Sequence, residues 1–268
     1  MRHFNLVGLV CSLILGWSHP APAQADTPRT RMEMGGVRIG MTEAEVMKAI
    51  QAFDPSARLS SRSVAYFPYF DGVNDLRTPD FLDQLSFRMS DGTLGVWFAS
   101  PPSEPRVFAV VRRASLSRPP GSDQLLAGLQ ERYGPFSARS APRGGGGAMV
   151  HWNEEGKAAC ASVRGKNGSL QPSPNAMGML VPPGAVKVLE RLARQDALRE
   201  ALGPSRDPVR CGTVLRYEWL NEPVGHFEAW LVDQGGMVAA DRQSAQWVEQ
   251  LTAEARRKVS RQGTTPKF

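Results

Sequence analysis

The chain carries little of what side-chain chemistry usually needs: three cysteines and four histidines in 268 residues. His3, His19 and Cys11 fall within the first 25 residues, which leaves His151 and His226, 75 positions apart, in the body of the chain. A nucleophile relay needs a histidine beside an activated serine or cysteine and an orienting acid, and none of the motifs G-x-S-x-G, S-x-x-K or H-E-x-x-H occurs. A zinc site would have to gather two further ligands from distant segments, so no metal and no other cofactor is expected. C-x-x-C is absent too, which argues against a redox dithiol. The glycine run 144–147 lacks the Gly-Lys-Ser/Thr of a phosphate loop and leads into a strand-like segment, where a phosphate loop would open a helix. No catalytic residue can be named on these grounds. Carboxylates are plentiful, but spacing along the chain does not reveal the roughly 5–9 Å separation that a glycosidase pair requires.

Long apolar runs are also missing. The longest, residues 6–17, spans about twelve residues against the roughly twenty of a membrane-crossing helix. Arg2 precedes it and Ala23-Gln24-Ala25 follows it, the charge, apolar core and small-residue site of a secretory signal peptide. The mature chain is expected to begin near Asp26 and to work in the periplasm or outside the cell. Cys11 sits inside the apolar run and not after a lipobox, so a lipid anchor is not expected. The formal charge is +6, and loss of the leader removes one arginine and no acid, leaving +5. Its densest cluster is Arg256, Arg257, Lys258, Arg261 and Lys267. No basic face interleaved with base-reaching groups is visible, so nucleic acid is not an expected partner. Peripheral contact with an anionic envelope surface through Arg256, Arg257 and Lys258 is the alternative to a merely solubilising charge.

Cys160 and Cys211 are the two cysteines left after cleavage, and in an oxidising compartment an isolated pair most simply forms one disulfide. Two free thiols remain the alternative in an envelope that is not oxidising. Closing the loop of about fifty residues between them would stabilise the fold by roughly 4 kcal/mol on the chain-entropy account.

Residues 26–36 read as a flexible N-terminus. Thr42 and Glu45 then make a capping box, and Val46, Met47, Ile50 and Phe53 give one apolar helical face that Asp54-Pro55 stops. Strands are expected at 58–67, 82–89, 94–99 and 106–114, with Asp91-Gly92 as the hairpin between the second and third. The pattern restarts with Ser122 as a cap and Leu125, Leu126, Leu129 and Tyr133 on one helical face, closed by Gly134-Pro135. Strands at 148–152 and 157–163, a helix at 185–202, strands at 212–220 and 226–233 and a final helix bearing Val248, Leu251, Ala255 and Val259 complete the chain. Glu154-Glu155-Gly156 and Asp233-Gln234-Gly235-Gly236 read as turns. Helix stops recur at Asp54-Pro55, Gly134-Pro135 and Gly203-Pro204, which suggests tandem units. The expectation is an α+β fold of two tandem helix-plus-antiparallel-sheet units, 37–118 and 119–262, with a C-terminal amphipathic helix, the disulfide in the second unit and a tail at 263–268.

Ile39-Gly40-Met41-Thr42-Glu43-Ala44-Glu45-Val46 resembles the opening of the SmpA/OmlA and β-lactamase-inhibitor-protein-like modules, and the tandem organisation is similar as well. The likeness covers little beyond the first helix of each half, and the chain departs from it in lacking a lipobox cysteine. At Phe98 to Pro102 and Leu129 to Pro135 it also resembles exported bacterial proteins to which no activity attaches. The resemblance implies a binding or assembly role and transfers no catalytic residue.

Tyr66-Phe67-Pro68-Tyr69-Phe70 is the candidate partner-binding segment, since four aromatics around a proline cannot all point inward from one strand. The expected function is an exported, non-catalytic binding or envelope-associated protein whose partner is an envelope protein or glycan. The alternative is an exported hydrolase using carboxylates or a histidine, which should place His151 or His226 with an acid in a concave pocket.

Overall fold

The computed structural model describes residues 32–140, 146–157, 162–164, 170–172 and 208–262. Helix α1 (Glu43–Phe53) starts where the capping box places it: the Thr42 hydroxyl accepts the Glu45 N–H at 3.3 Å, and the Glu45 carboxylate accepts the Thr42 N–H at 2.8 Å. Val46 and Ile50 are its buried residues. At the other end the Asp54 carboxylate accepts the Ser56 N–H at 2.9 Å and the Ser90 N–H at 2.7 Å, tying the helix stop to a distant turn.

The strands that follow are β1 (Arg58–Ala65), β2 (Pro68–Phe70), β3 (Asp75–Arg77), β4 (Phe81–Met89), β5 (Gly92–Phe98) and β6 (Val107–Ser115). After α2 (Ser122–Tyr133) come β7 (Ala138–Ser140), β8 (Ala148–Asn153), β9 (Ser162–Arg164), β10 (Leu170–Pro172), a 3-10 turn at Pro208–Arg210, β11 (Thr213–Trp219), β12 (His226–Asp233) and α3 (Gln234–Gln262). The main sheet is antiparallel throughout, in the order β1-β4-β5-β6-β12-β11-β8-β7. Each half is therefore one helix followed by four strands laid down in chain order, and the last strands of the halves, β6 and β12, pair at the centre. This is the α+β arrangement of two tandem units with a C-terminal helix, fused into a single eight-stranded sheet.

Side-chain alternation along each strand splits the sheet into two faces. Leu85, Phe87, Leu94, Val96, Val110, Val150, Leu215 and Leu231 share one apolar cluster with Val46 and Ile50 of α1 and Leu126 and Leu129 of α2. Trp97, Ala109, Val111, Val214 and Val232 point the other way and pack on Met237 and Val238 at the start of α3. Burying both faces this way accounts for the nearly continuous apolar runs of β5 and β6.

Several details differ from the sequence reading. Ser122 is not the cap of α2, because Gly121 holds that position and makes no side-chain cap. The free N–H and the hydroxyl of Ser122 are instead taken by the Glu222 carboxylate from the β11–β12 loop. Gly92 is not a turn residue: Met89 pairs with Gly92 around Ser90-Asp91, and a Cβ at Gly92 would lie 2.0 Å from the Arg113 carbonyl oxygen. Residues 234–236 are the first turn of α3, where a Cβ on Gly235 would meet the Cys211 and Val209 oxygens at 2.5 and 2.6 Å. Close backbone approach, and not turn chemistry, selects glycine at both places. The segment read as a strand at 157–163 contributes β9, which pairs with β10 in a small separate sheet. The expected helix at 185–202, the stop at Gly203-Pro204 and Cys160 lie outside the described residues. Cys211 is buried beside the start of β11.

Candidate functional site

The aromatic segment occupies the β2–β3 hairpin, a two-stranded ribbon off the main sheet in which Tyr69 opposes Leu76 and Phe70 opposes Asp75. Asp71 shapes its tip. One carboxylate oxygen accepts the Val73 and Asn74 N–H groups at 2.7 and 2.6 Å, while the other accepts the Asn74 side-chain amide at 3.2 Å. These donors, led by the backbone amides of Asn74 and Val73, hold the Asp71 carboxyl below the ordinary aspartate range. At the base, the Phe67 N–H donates to the Thr78 hydroxyl at 2.9 Å and the Thr78 N–H to the Phe67 carbonyl at 3.0 Å.

Two sides of the hairpin have opposite fates. Phe67 is 8 % exposed and wedges between Phe81, at 4.9 Å between ring centroids, and Trp247 of α3, at 6.4 Å. Tyr66, Phe70 and Val73 stand out at 48, 44 and 67 % exposure. Tyr69 is half-buried, and the Arg77 guanidinium lies 5.0 Å over the Tyr66 ring. Of the four aromatics singled out in the sequence, one is thus a structural anchor, two are presented to solvent and one is intermediate. Val64 and Leu59 on the outer strand β1 are exposed as well. Asp71-Gly72, with Gly72 at a φ of 103°, is a local signal for the hairpin tip of the same kind as Asp91-Gly92, whereas the contact to Trp247, 180 positions away, has none.

The two histidines do not meet. His151 is buried on β8, opposite Arg216 of β11, and burial first, then the nearby Arg216 charge, lowers its pKa. His226 is exposed at the start of β12, with Nδ1 2.9 Å from the Ser115 hydroxyl. Two strand spacings and four residues of rise put the pair about 17 Å apart, too far to share an ion. Among the described residues no group of three or more His, Cys, Asp or Glu could hold a metal ion.

His226 and Ser115 belong to a groove of about 610 Å³ that also takes in Thr93, Arg113, Glu218, Asn221 and Glu228. Glu218 and Glu228 are direct cross-strand neighbours there. Each is held by an arginine: Glu228 by Arg113 at 2.7 Å, Glu218 by Arg216, whose guanidinium also stacks 4.5 Å from the Trp230 ring. Like charges placed opposite one another are tolerated because the two guanidinium groups flank them. A second groove, about 710 Å³, runs between residues 38–41, the β5–β6 connection and the first turns of α3.

Of the remaining candidates, Gly147 has a structural task, since its Cβ would lie 2.0 Å from the Trp219 carbonyl oxygen. Residues 141–145 of that glycine-rich connector lie outside the described residues. Glu155 and Gly156 form the expected turn, while the Glu154 carboxylate accepts the Thr213 N–H at 2.9 Å. Arg256, Arg257 and Lys258 are exposed near the end of α3. Comparison with known protein families, with curated proteins and with solved structures returns no match, so the likeness to SmpA/OmlA and β-lactamase-inhibitor-protein-like modules rests on residues 39–46 and the tandem layout alone.

Proposed function

We propose that the chain is an exported, non-catalytic binding protein that engages an envelope protein through the outer side of the β2–β3 hairpin. One observation carries this reading: Phe67 and Asp71 fix the hairpin, while Tyr66, Phe70 and Val73 of the same short ribbon stand in solvent. Apolar side chains held rigidly on a surface bind at low entropic cost, and aromatic anchors carry much of the energy at protein interfaces. The test is a pull-down from envelope extract with the wild-type protein and a Tyr66→Ser/Phe70→Ser variant as parallel baits. A partner retained by the first and lost by the second supports the reading. Identical retention by both, or none by either, refutes it.

A second reading, an exported hydrolase, draws support from the 2.9 Å contact between Ser115 and His226 Nδ1 in a groove that also holds two carboxylates. Both acids are engaged by arginines, and the Ser115 N–H is donated to the Asp91 carbonyl, so neither a free orienting acid nor an amide at the serine is on offer. Turnover of an activated ester that disappears in Ser115→Ala and His226→Ala would favour this reading over binding.

A further inference from the structure

We infer that the far end of α3 is an anionic-lipid contact, through which the protein lies against a membrane surface, independently of the hairpin. The helix divides into two parts. Its first half is docked: Met237 and Val238 join the apolar cluster on the sheet, Asp241 and Ser244 are buried, the Ser244 hydroxyl donates to the Pro101 carbonyl at 2.5 Å, and Trp247 packs on Phe67. The helix then continues for fifteen residues, 248–262, about 22 Å at 1.5 Å per residue. It is therefore carried as a rigid extension of a part of the fold that is held at several points.

That extension has two sides. Val248, Leu251, Ala255 and Val259 recur at helical spacing and are half-buried, forming one apolar stripe. Arg256, Arg257, Lys258 and Arg261 are all exposed, and none makes an ion pair with a described residue. At 100° per residue, Arg257, Arg261 and Lys258 fall within one 100° arc beside the stripe. Glu254 falls in the same arc, one turn before Lys258, and Glu249 lies outside it; beyond Glu254, residues 255–262 carry four positive charges and no negative one. A basic arc flanking an apolar stripe is the composition of helices that lie in a membrane interface, where lipid phosphates meet the cations and acyl chains the apolar side. A nucleic-acid contact has use for the arc but none for the stripe. Among the described residues no helix is long and apolar enough to cross a membrane.

The experiment uses the purified protein as its host processes it, with sedimentation on vesicles of phosphatidylglycerol and phosphatidylcholine. Each basic residue near an anionic surface strengthens binding by about five-fold, so a variant with Arg256, Arg257, Lys258 and Arg261 all changed to Gln should bind phosphatidylglycerol vesicles at least a hundred-fold more weakly. Raising salt from about 0.1 to 0.5 M should weaken the wild type and leave the variant unchanged. Arg256→Lys/Arg257→Lys/Arg261→Lys should keep the affinity, because the contact reads charge. Equal binding by the wild type and the Gln variant, no binding to phosphatidylglycerol, or tighter binding to duplex DNA than to these vesicles at the same salt would each overturn the inference. All four side chains are exposed, and an unchanged melting temperature certifies the variants as folded.

Discussion

Replacing Phe67 by alanine separates the anchoring role of the aromatic segment from its display role. Phe67 is buried between Phe81 and Trp247, so truncation removes most of an aromatic side chain from water-free contact and leaves a gap between a hairpin and a helix. Phe→Ala at buried sites costs about 3–5 kcal/mol, and this site, at the edge of the core, belongs near 3. For a domain of this size about 1 kcal/mol corresponds to roughly 2–4 °C, which predicts a fall of about 6–12 °C in melting temperature. Tyr66→Ser and Phe70→Ser touch mostly solvent and should stay within about 0.5 kcal/mol of the wild type. Urea unfolding followed by tryptophan fluorescence reads the difference, since Trp247 reports the packing directly. A Phe67→Ala protein as stable as the wild type, or a Tyr66→Ser protein equally destabilised, would refute the division of the hairpin into an anchored and a displayed side.

Other outcomes follow from single contacts. The native Asp71 pKa is lowered, so between it and the ordinary value of about 3.9 the unfolded chain binds the proton more readily; the tip contacts are fully present above pH ~5 and lost as pH falls through the native value. The Val73 and Asn74 amide resonances should shift on acidification, and Asp71→Asn should abolish the step. His151 is also lowered, and by the same sign its neutral form favours the fold above about pH 6.5, so stability should fall from pH 7 to pH 5 with a smaller slope in His151→Phe. Gly147→Ala places a Cβ against the Trp219 carbonyl and should cost about 3 kcal/mol or more in urea unfolding, because backbone must move on both strands. With the Cys160–Cys211 disulfide expected from the sequence, reduction should lower stability by about 4 kcal/mol, and mass spectrometry of the unreduced protein should find the linked peptides; two free thiols would give neither result.

Much of the scaffold was legible because its signals are local. The Thr42–Glu45 box and the Asp54 stop bracket α1, and the glycine at 134, with φ of 80°, closes α2 as its neighbours suggest. The strand candidates of the sequence coincide with the strands of the main sheet apart from the three-residue β7, too short to carry a pattern. What escaped depends on contacts far apart in sequence. The cap of α2 comes from Glu222, a hundred residues on, and no pattern around Ser122 announces it. Gly235 and Gly236 look like turn residues until the 3-10 turn at 208–210 and Asp233 are seen pressed against them. For the candidate site, composition singled out Tyr66, Phe67, Tyr69 and Phe70, but which of them faces inward is decided by Phe81 and Trp247. The groove around His226 was not foreseen at all, since cross-strand register brings Ser115, Glu218 and Glu228 to it.

The central claim is that the outer side of the β2–β3 hairpin is a contact surface for another protein. Its most direct test is photocrosslinking in the living host, with a photoreactive amino acid placed at Tyr66, Phe70 or Val73 in turn and at the exposed Lys48 of α1 as control. A single common adduct from the three hairpin positions, absent from the control, is the predicted result. No adduct from any of the three, or the same adducts from Lys48, would contradict the account.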